Sequence, residues 1–194
     1  LQRCTRPDIS NAVRDLARYQ HCYTSVHFNA LNRVLRYLKG TSDYGLLFDG
    51  SNPTDQVVKV YSDASFGDKE LSRKSVTGYA VKLAGVPVCY CSVAQKSVSI
   101  STMEAELIAC SEACRESEWL RMLLGDMGFE YEAPVQVFCD NQATVALIKN
   151  PINHSGSKHI EIRHLFAREL QELNKIDIQH IGTEEMISHI FTKT

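Results

Sequence analysis

Val57-Val58-Lys59-Val60-Tyr61-Ser62-Asp63-Ala64-Ser65 is the stretch from which the fold reads outward. Val58, Val60 and Ser62 alternate with Val57, Lys59, Tyr61 and Asp63, and the run is rich in β-branched side chains. This pattern predicts a strand buried at its centre. A carboxylate, Asp63, stands at its end, before small residues and Phe66-Gly67. Taken alone, such an Asp reads as the start of a turn. A second run, Val135-Gln136-Val137-Phe138-Cys139-Asp140, repeats the pattern and continues into Asn141-Gln142-Ala143. Two strands that each present an Asp where the backbone turns away can bring two carboxylates together. Between them in sequence, Glu106 lies near the start of a helical run. Two Asp and a Glu on adjacent elements form a site for a hard divalent cation, which prefers oxygen ligands.

The bulk composition narrows the classes. With 194 residues, 44% of them hydrophobic, the chain can build one good core and an appendage. A net charge of −2 means that any nucleic-acid contact must use a local basic face. No apolar run is long enough to span a bilayer and no signal peptide is evident. The chain starts at Leu1-Gln2-Arg3 without an initiating Met, so a piece of something longer is expected. None of the seven cysteines falls in a Cys-x-x-Cys pair. They read mostly as small core hydrophobes in a reducing compartment rather than as a zinc site.

Residues 1 to about 50 read as a first unit. Asp8 or Ser10 is placed to cap a helix carrying Ile9, Val13, Leu16 and Ala17. A second helix is expected from about His27 to Lys39, with Ala30, Leu31, Val34, Leu35 and Leu38 on one face. Gly40 is placed to close it. Arg14, Arg18, Arg33, Arg36 and Lys39 lie mostly off the apolar face. They read first as a solvated surface, and second as contacts to a phosphate backbone. Tyr44 to Phe48 is expected to be a short strand, and Asp49-Gly50-Ser51-Asn52-Pro53 supplies turn chemistry for a boundary near residue 52. So small a unit needs a neighbour to pack on, either upstream sequence or the second domain.

The second unit, from residue 53, continues past the Asp63 strand with Val76 to Leu83, an Ala84-Gly85 turn and Val86 to Val93, with Lys96 to Ile100 following. With the Asp63 strand, this makes an antiparallel meander of three strands. Ser101-Thr102-Met103-Glu104 is a capping-box pattern opening a helix through Leu107, Cys110, Cys114, Trp119, Leu120, Leu123 and Leu124, ended by Gly125 or Gly128. The box gives Glu104 a structural task and leaves Glu106 for chemistry. After the Asp140 strand, Asn141 opens a short helix stopped at Asn150-Pro151. A long helix is expected from Lys158 to about Leu173, a final strand at Ile176 to Ile181, and a terminal helix from Thr183 through Ile187 and Ile190. The order implies an α/β fold, a five-stranded mixed sheet with helices on both faces, preceded by a small helical unit.

The motifs together resemble the end of the Pol polyprotein of copia-type LTR retrotransposons. They are Tyr61-Ser62-Asp63-Ala64-Ser65, Arg73-Lys74-Ser75-Val76-Thr77-Gly78-Tyr79, Ser101-Thr102-Met103-Glu104-Ala105-Glu106, Cys139-Asp140-Asn141-Gln142, Ser157-Lys158-His159-Ile160-Glu161-Ile162-Arg163 and Ile190-Phe191-Thr192-Lys193. These resemble the family's ribonuclease H domain. Thr5-Arg6-Pro7-Asp8-Ile9 and Arg36-Tyr37-Leu38-Lys39-Gly40-Thr41 resemble the end of its reverse transcriptase, thumb or connection. The resemblance implies a ribonuclease H-like fold over residues 53-194, and cleavage of the RNA strand of RNA–DNA hybrids. It implies metal ligation by Asp63, Glu106 and Asp140, with Asp63 shared between two Mg²⁺ ions, Mn²⁺ being the alternative. Such ions, roughly 3.5–4 Å apart, activate water and stabilise the leaving oxygen. Implied partners are the hybrid and the upstream reverse transcriptase of the same polyprotein, with a homodimer open and no membrane. The implied location is a cytoplasmic virus-like particle, with the nucleus open.

One departure from the family pattern bears on catalysis. The family's fourth carboxylate precedes the closing Thr-Lys, and here that position is His189. Imidazole is a poor Mg²⁺ ligand and suits transition metals better. His189 therefore implies a Mn²⁺ preference, a proton-moving role, or a decayed copy with reduced activity; Glu184 and Glu185 could compensate. For the substrate, Ser65, Asn141 and Gln142 are candidates to meet the minor groove and the ribose 2′-hydroxyl, although Asn141 reads equally as a helix cap. Arg73, Lys74, Lys158, His159 and Arg163 are candidates for phosphate contact. The competing reading is a catalytically degenerate module that binds hybrid or supports a polymerase. An integrase would place its Glu after the second Asp, and a polymerase would show a paired-Asp motif; neither pattern is present.

Overall fold

In a computed structural model, residues 1–49, 58–67, 73–129, 133–150 and 165–193 are described. Five strands, β1 (Val58–Ser65), β2 (Val76–Leu83), β3 (Val86–Ala94), β4 (Val135–Cys139) and β5 (Ile176–His180), form one sheet in the order β3-β2-β1-β4-β5. The hairpin side is antiparallel, and β1, β4 and β5 run parallel. Ala84 (φ 50°) and Gly85 (φ 79°) make the two-residue turn between β2 and β3. Both central residues have positive φ, as the twist of a tight hairpin requires.

Among the described residues, five α-helices accompany the sheet: α1 (Ser10–Ala17), α2 (Ser25–Gly40), α3 (Thr102–Asp126), α4 (Gln142–Lys149) and α5 (Phe166–Glu172). The alternation in β1 sends Val58 and Val60 to the face covered by α3, α4 and α5. There they join Leu107, Cys110, Cys114, Val137 and Ile178 in the main core. The buried cysteines are free thiols that fill space, as the sequence predicts. The opposite face carries α1 and a C-terminal 3-10 turn (Ile187–Phe191). Helices therefore lie on both faces. No helix is long and apolar enough to cross a membrane among the described residues.

Gly78 of β2 lets that terminal turn lie directly on the sheet. A Cβ there would meet Thr192 Cγ2 at 2.5 Å and Phe191 Cβ at 2.9 Å. Gly78→Ala is expected to destabilise the protein by about 1–3 kcal/mol through overpacking, read as a lower denaturant midpoint. An unchanged midpoint would mean that the turn is not seated there.

Several expectations are corrected. Tyr44 to Phe48 is not a strand: Leu47 and Phe48 are 80% and 67% exposed and pair with no strand of the sheet. A short apolar run without a pairing partner gains no ladder. Neither Asp8 nor Ser10 caps α1, because each is drawn into other bonds. Asp8 takes the Arg6 guanidinium (2.8 Å) and the Tyr37 hydroxyl (2.8 Å), while Ser10 donates to the Gln2 carbonyl (3.0 Å). The terminal helix is instead two 3-10 turns, Thr183–Glu185 and Ile187–Phe191, separated by extended Met186. On α3, Leu120 is buried but Trp119 is 49% exposed. Gly128 (φ 86°), rather than Gly125, ends that helix, with the Phe129 N–H returning to the Leu124 carbonyl (2.9 Å). The boundary near residue 52, and the Lys158 end of the expected long helix, lie outside the described residues.

Candidate metal centre

Asp63 and Asp140 sit side by side because of register. The last parallel pair of β1 and β4 is Ser62 with Cys139, so the carboxylates follow one position later on neighbouring strands. Ligands of open α/β sheets gather at the carboxyl ends of parallel strands, where these two lie. Glu106 comes from the second turn of α3. The start of that helix is fixed by Ser101, whose Oγ accepts the Glu104 N–H (3.1 Å), while Glu104 accepts the Ile100 N–H (2.7 Å). Buried Gln95 ties it to the sheet by donating to the Ala105 carbonyl (2.9 Å) and Thr77 Oγ (3.2 Å). Glu104 thus caps, and Glu106 points to the strand ends.

The terminal turn closes the site. His189 Nε2 lies 3.3 Å from Asp140 Oδ2 and 3.6 Å from Asp63 Oδ1. The Thr192 hydroxyl donates to Asp63 Oδ2. Lys193 lies close enough that its charge favours the ionised forms of both Asp63 and Glu106. Glu184 and Glu185 are exposed and belong to no candidate ligand group among the described residues.

Two sets of candidate ligand atoms each lie within 4.8 Å of one another: Asp63, Asp140 and His189, and Glu106, Cys139 and Asp140. Burial holds the Cys139 thiol neutral by pushing its pKa up. Glu106 is 6% exposed, and its Oε2 has no hydrogen-bond partner. A buried carboxylate oxygen without a donor beside two further carboxylates is a strongly unfavourable arrangement. A divalent cation relieves it, so the residues fit such an ion.

The same crowding has a pH consequence. Burial, then the charges of Asp63 and Asp140, push the Glu106 carboxyl up to about 9 from its ordinary 4.5. Burial raises Asp63 as well. Between those limits the folded chain binds more protons than the unfolded one, so stability falls as pH rises. In chelator, the melting temperature is expected to drop between about pH 5 and pH 8, by the equivalent of a few kcal/mol. Glu106→Gln is expected to flatten that slope. A flat wild-type curve would remove the strained cluster.

Of the expected substrate residues, Asn141 acts as a cap: its Oδ1 accepts the Thr144 N–H (3.0 Å). Gln142 and Arg73 are exposed, and Ser65 and Lys74 half-buried, around the strand ends and the loop before β2. Lys158, His159 and Arg163 lie outside the described residues. Sequence reasoning missed Thr192 and Gly78 as parts of the site. Their motifs were visible, but nothing local signalled that the two would meet.

No protein-family profile matches the chain. It is 37% identical over 190 residues to the retrovirus-related Pol polyprotein from transposon TNT 1-94 of Nicotiana tabacum. It is 35% identical over 189 residues to that from transposon RE2 of Arabidopsis thaliana. The matches cover 98% and 97% of this chain but only 14% and 13% of those relatives. Among solved structures, the N-terminal RNase H domain of rv2228c from Mycobacterium tuberculosis is similar, with a TM-score of 0.50 at 12% identity. That match covers 70% of this chain and 89% of the other, and the shared fold is ribonuclease H-like.

Proposed function

Because the chain belongs to the Pol polyproteins of copia-type retrotransposons, we propose that residues 53-194 hydrolyse the RNA strand of RNA–DNA hybrids and that residues 1-52 are the end of the preceding reverse transcriptase. The observation that carries this reading is that Asp140 lies within ligand distance of Asp63 on one side and of Glu106 on the other, with the buried Glu106 oxygen lacking any donor. These three would hold divalent cations, Mg²⁺ or Mn²⁺. Such ions, when bound, activate water and stabilise the leaving oxygen of phosphodiester hydrolysis. Thr192 orients Asp63 through its hydroxyl, and His189 stands beside both aspartates, where it can ligate or carry a proton. In this reading Ser65, Gln142, Arg73 and Lys74 contact the hybrid, the basic ones holding phosphates. Lys158, His159 and Arg163 take the same part in this proposal.

His189 also favours a second reading, since it stands where the family resemblance implies a fourth acid. That reading is a degenerate module that binds hybrid without cutting it. The deciding experiment incubates a labelled RNA–DNA hybrid with the protein and Mg²⁺ or Mn²⁺. Cleavage confined to the RNA strand and stopped by chelator supports the enzyme. Binding without cleavage in either metal makes the degenerate module the function.

A further inference from the structure

We propose that Asn11 and Arg14, on α1 of the first unit, are positioning residues for the metal centre: they grip the C-terminal segment that presents His189 and Thr192 to the aspartates. The inference rests on the metal-centre reading above.

The segment after Met186 has little regular structure to hold it. Its 3-10 turn ends at Phe191, and the carbonyls at such an end have no partners within the turn. Two of them are satisfied from far away in sequence. Asn11 Nδ2 donates to the Lys193 carbonyl at 2.7 Å. Arg14 Nη1 donates to the Phe191 carbonyl at 3.3 Å and to Ser92 Oγ at 3.0 Å, and Ser92 donates to that same carbonyl. Asn11 is 4% exposed, so its bond is made out of competition with water. Beneath the segment, Phe191 stacks on Tyr90, with ring centroids 5.9 Å apart. The segment is thus held between the sheet and α1.

The grip reaches the site through short links. The His189 carbonyl accepts the N–H groups of Thr192 (3.1 Å) and Lys193 (2.9 Å). Thr192 and His189 in turn touch Asp63 and Asp140. Loosening the Lys193 carbonyl therefore frees the backbone that sets both side chains. The contact surface is polar and directional. Packing alone would leave these carbonyls free to shift, whereas paired donors fix them.

The test uses the full chain with Asn11→Asp, which keeps size but removes the donor, Arg14→Met, and the two combined. Arg14→Lys serves as the conservative rescue. Mn²⁺ affinity by calorimetry, hybrid cleavage, and hydrogen exchange over residues 187–193 are measured together. The expected result for the double variant is exchange rising at least tenfold in that segment alone. Mn²⁺ affinity and kcat are expected to fall about tenfold, as when a ligand's supporting partner is lost, with KM for hybrid unchanged. Arg14→Lys is expected to recover most of both. A wild type that binds Mn²⁺ and a double variant that matches it within twofold would overturn the positioning role alone, even where exchange rises. A folded wild type that binds no Mn²⁺ would overturn the metal-centre reading, and the positioning role with it.

Discussion

Asp63→Asn is expected to lower the rate of hybrid cleavage by at least about 10³-fold while raising the melting temperature of the metal-free protein. The rate loss corresponds to about 4 kcal/mol of transition-state stabilisation. Asp63 is buried near the end of the central strand, between β2 and β4, with Thr192 on one oxygen and His189 beside the other. It lies within ligand distance of Asp140 and His189, and an amide cannot supply the anionic oxygens a cation needs. The stability change has the opposite sign. Burial disfavours the charged form of Asp63, and its charge raises Glu106 in turn. The amide oxygen can still accept the Thr192 hydroxyl, so the fold retains that bond. Cleavage assays and thermal melts in chelator check both halves. A variant cleaving within tenfold of wild type would remove Asp63 from the chemistry.

The two halves of this result separate what was legible in the sequence from what was not. A strand that carries Asp63 near its end, a strand that leads into Asp140, and a helix opening just before Glu106 follow from period and capping pattern. Period 2 in β1 and β4 and Ser101-x-x-Glu104 state which residues share a face and where a helix begins. Once β1 and β4 pair in parallel, the two aspartates become neighbours, and the start of α3 places Glu106 beside Asp140. Thr192 and Gly78 are different. Their meeting joins the end of the chain to β2, and no local pattern encodes a contact over such a separation. Arg14 illustrates the same limit. It read as one of several solvated cations because it lies off the apolar stripe, yet its guanidinium reaches Ser92 and the Phe191 carbonyl. Hydropathy marks a polar side chain as outward and is silent on whether another part of the chain waits there. Tyr44 to Phe48 fails for the converse reason: β propensity is a preference for a pleated, half-buried surface, and this run has none to join.

Metal preference is where the chain's departure from its family should show most clearly. With His189 in place, the ratio of cleavage in Mn²⁺ to that in Mg²⁺ is expected to exceed about 10, and His189→Asp should reduce it by about tenfold or more. The imidazole nitrogen lies near one oxygen of each aspartate, so an ion bound there meets a nitrogen donor. Mg²⁺ dehydrates reluctantly and takes oxygen ligands in near-octahedral geometry. Mn²⁺ accepts mixed nitrogen and oxygen sets more readily. An aspartate at 189 would supply a fourth carboxylate, which the family pattern implies for this position. It would also add repulsion to an already crowded cluster, so metal-free His189→Asp should melt lower than wild type and regain stability on adding Mg²⁺. His189→Ala separates ligation from repulsion, because it removes the nitrogen without adding charge. If His189 is a ligand, the alanine variant weakens Mn²⁺ binding while leaving Mg²⁺ nearly unaffected. Equal cleavage by wild type in both metals, together with an unchanged ratio in His189→Asp, would exclude His189 from the ion's coordination and leave it a neighbour that only holds Asp140 in place.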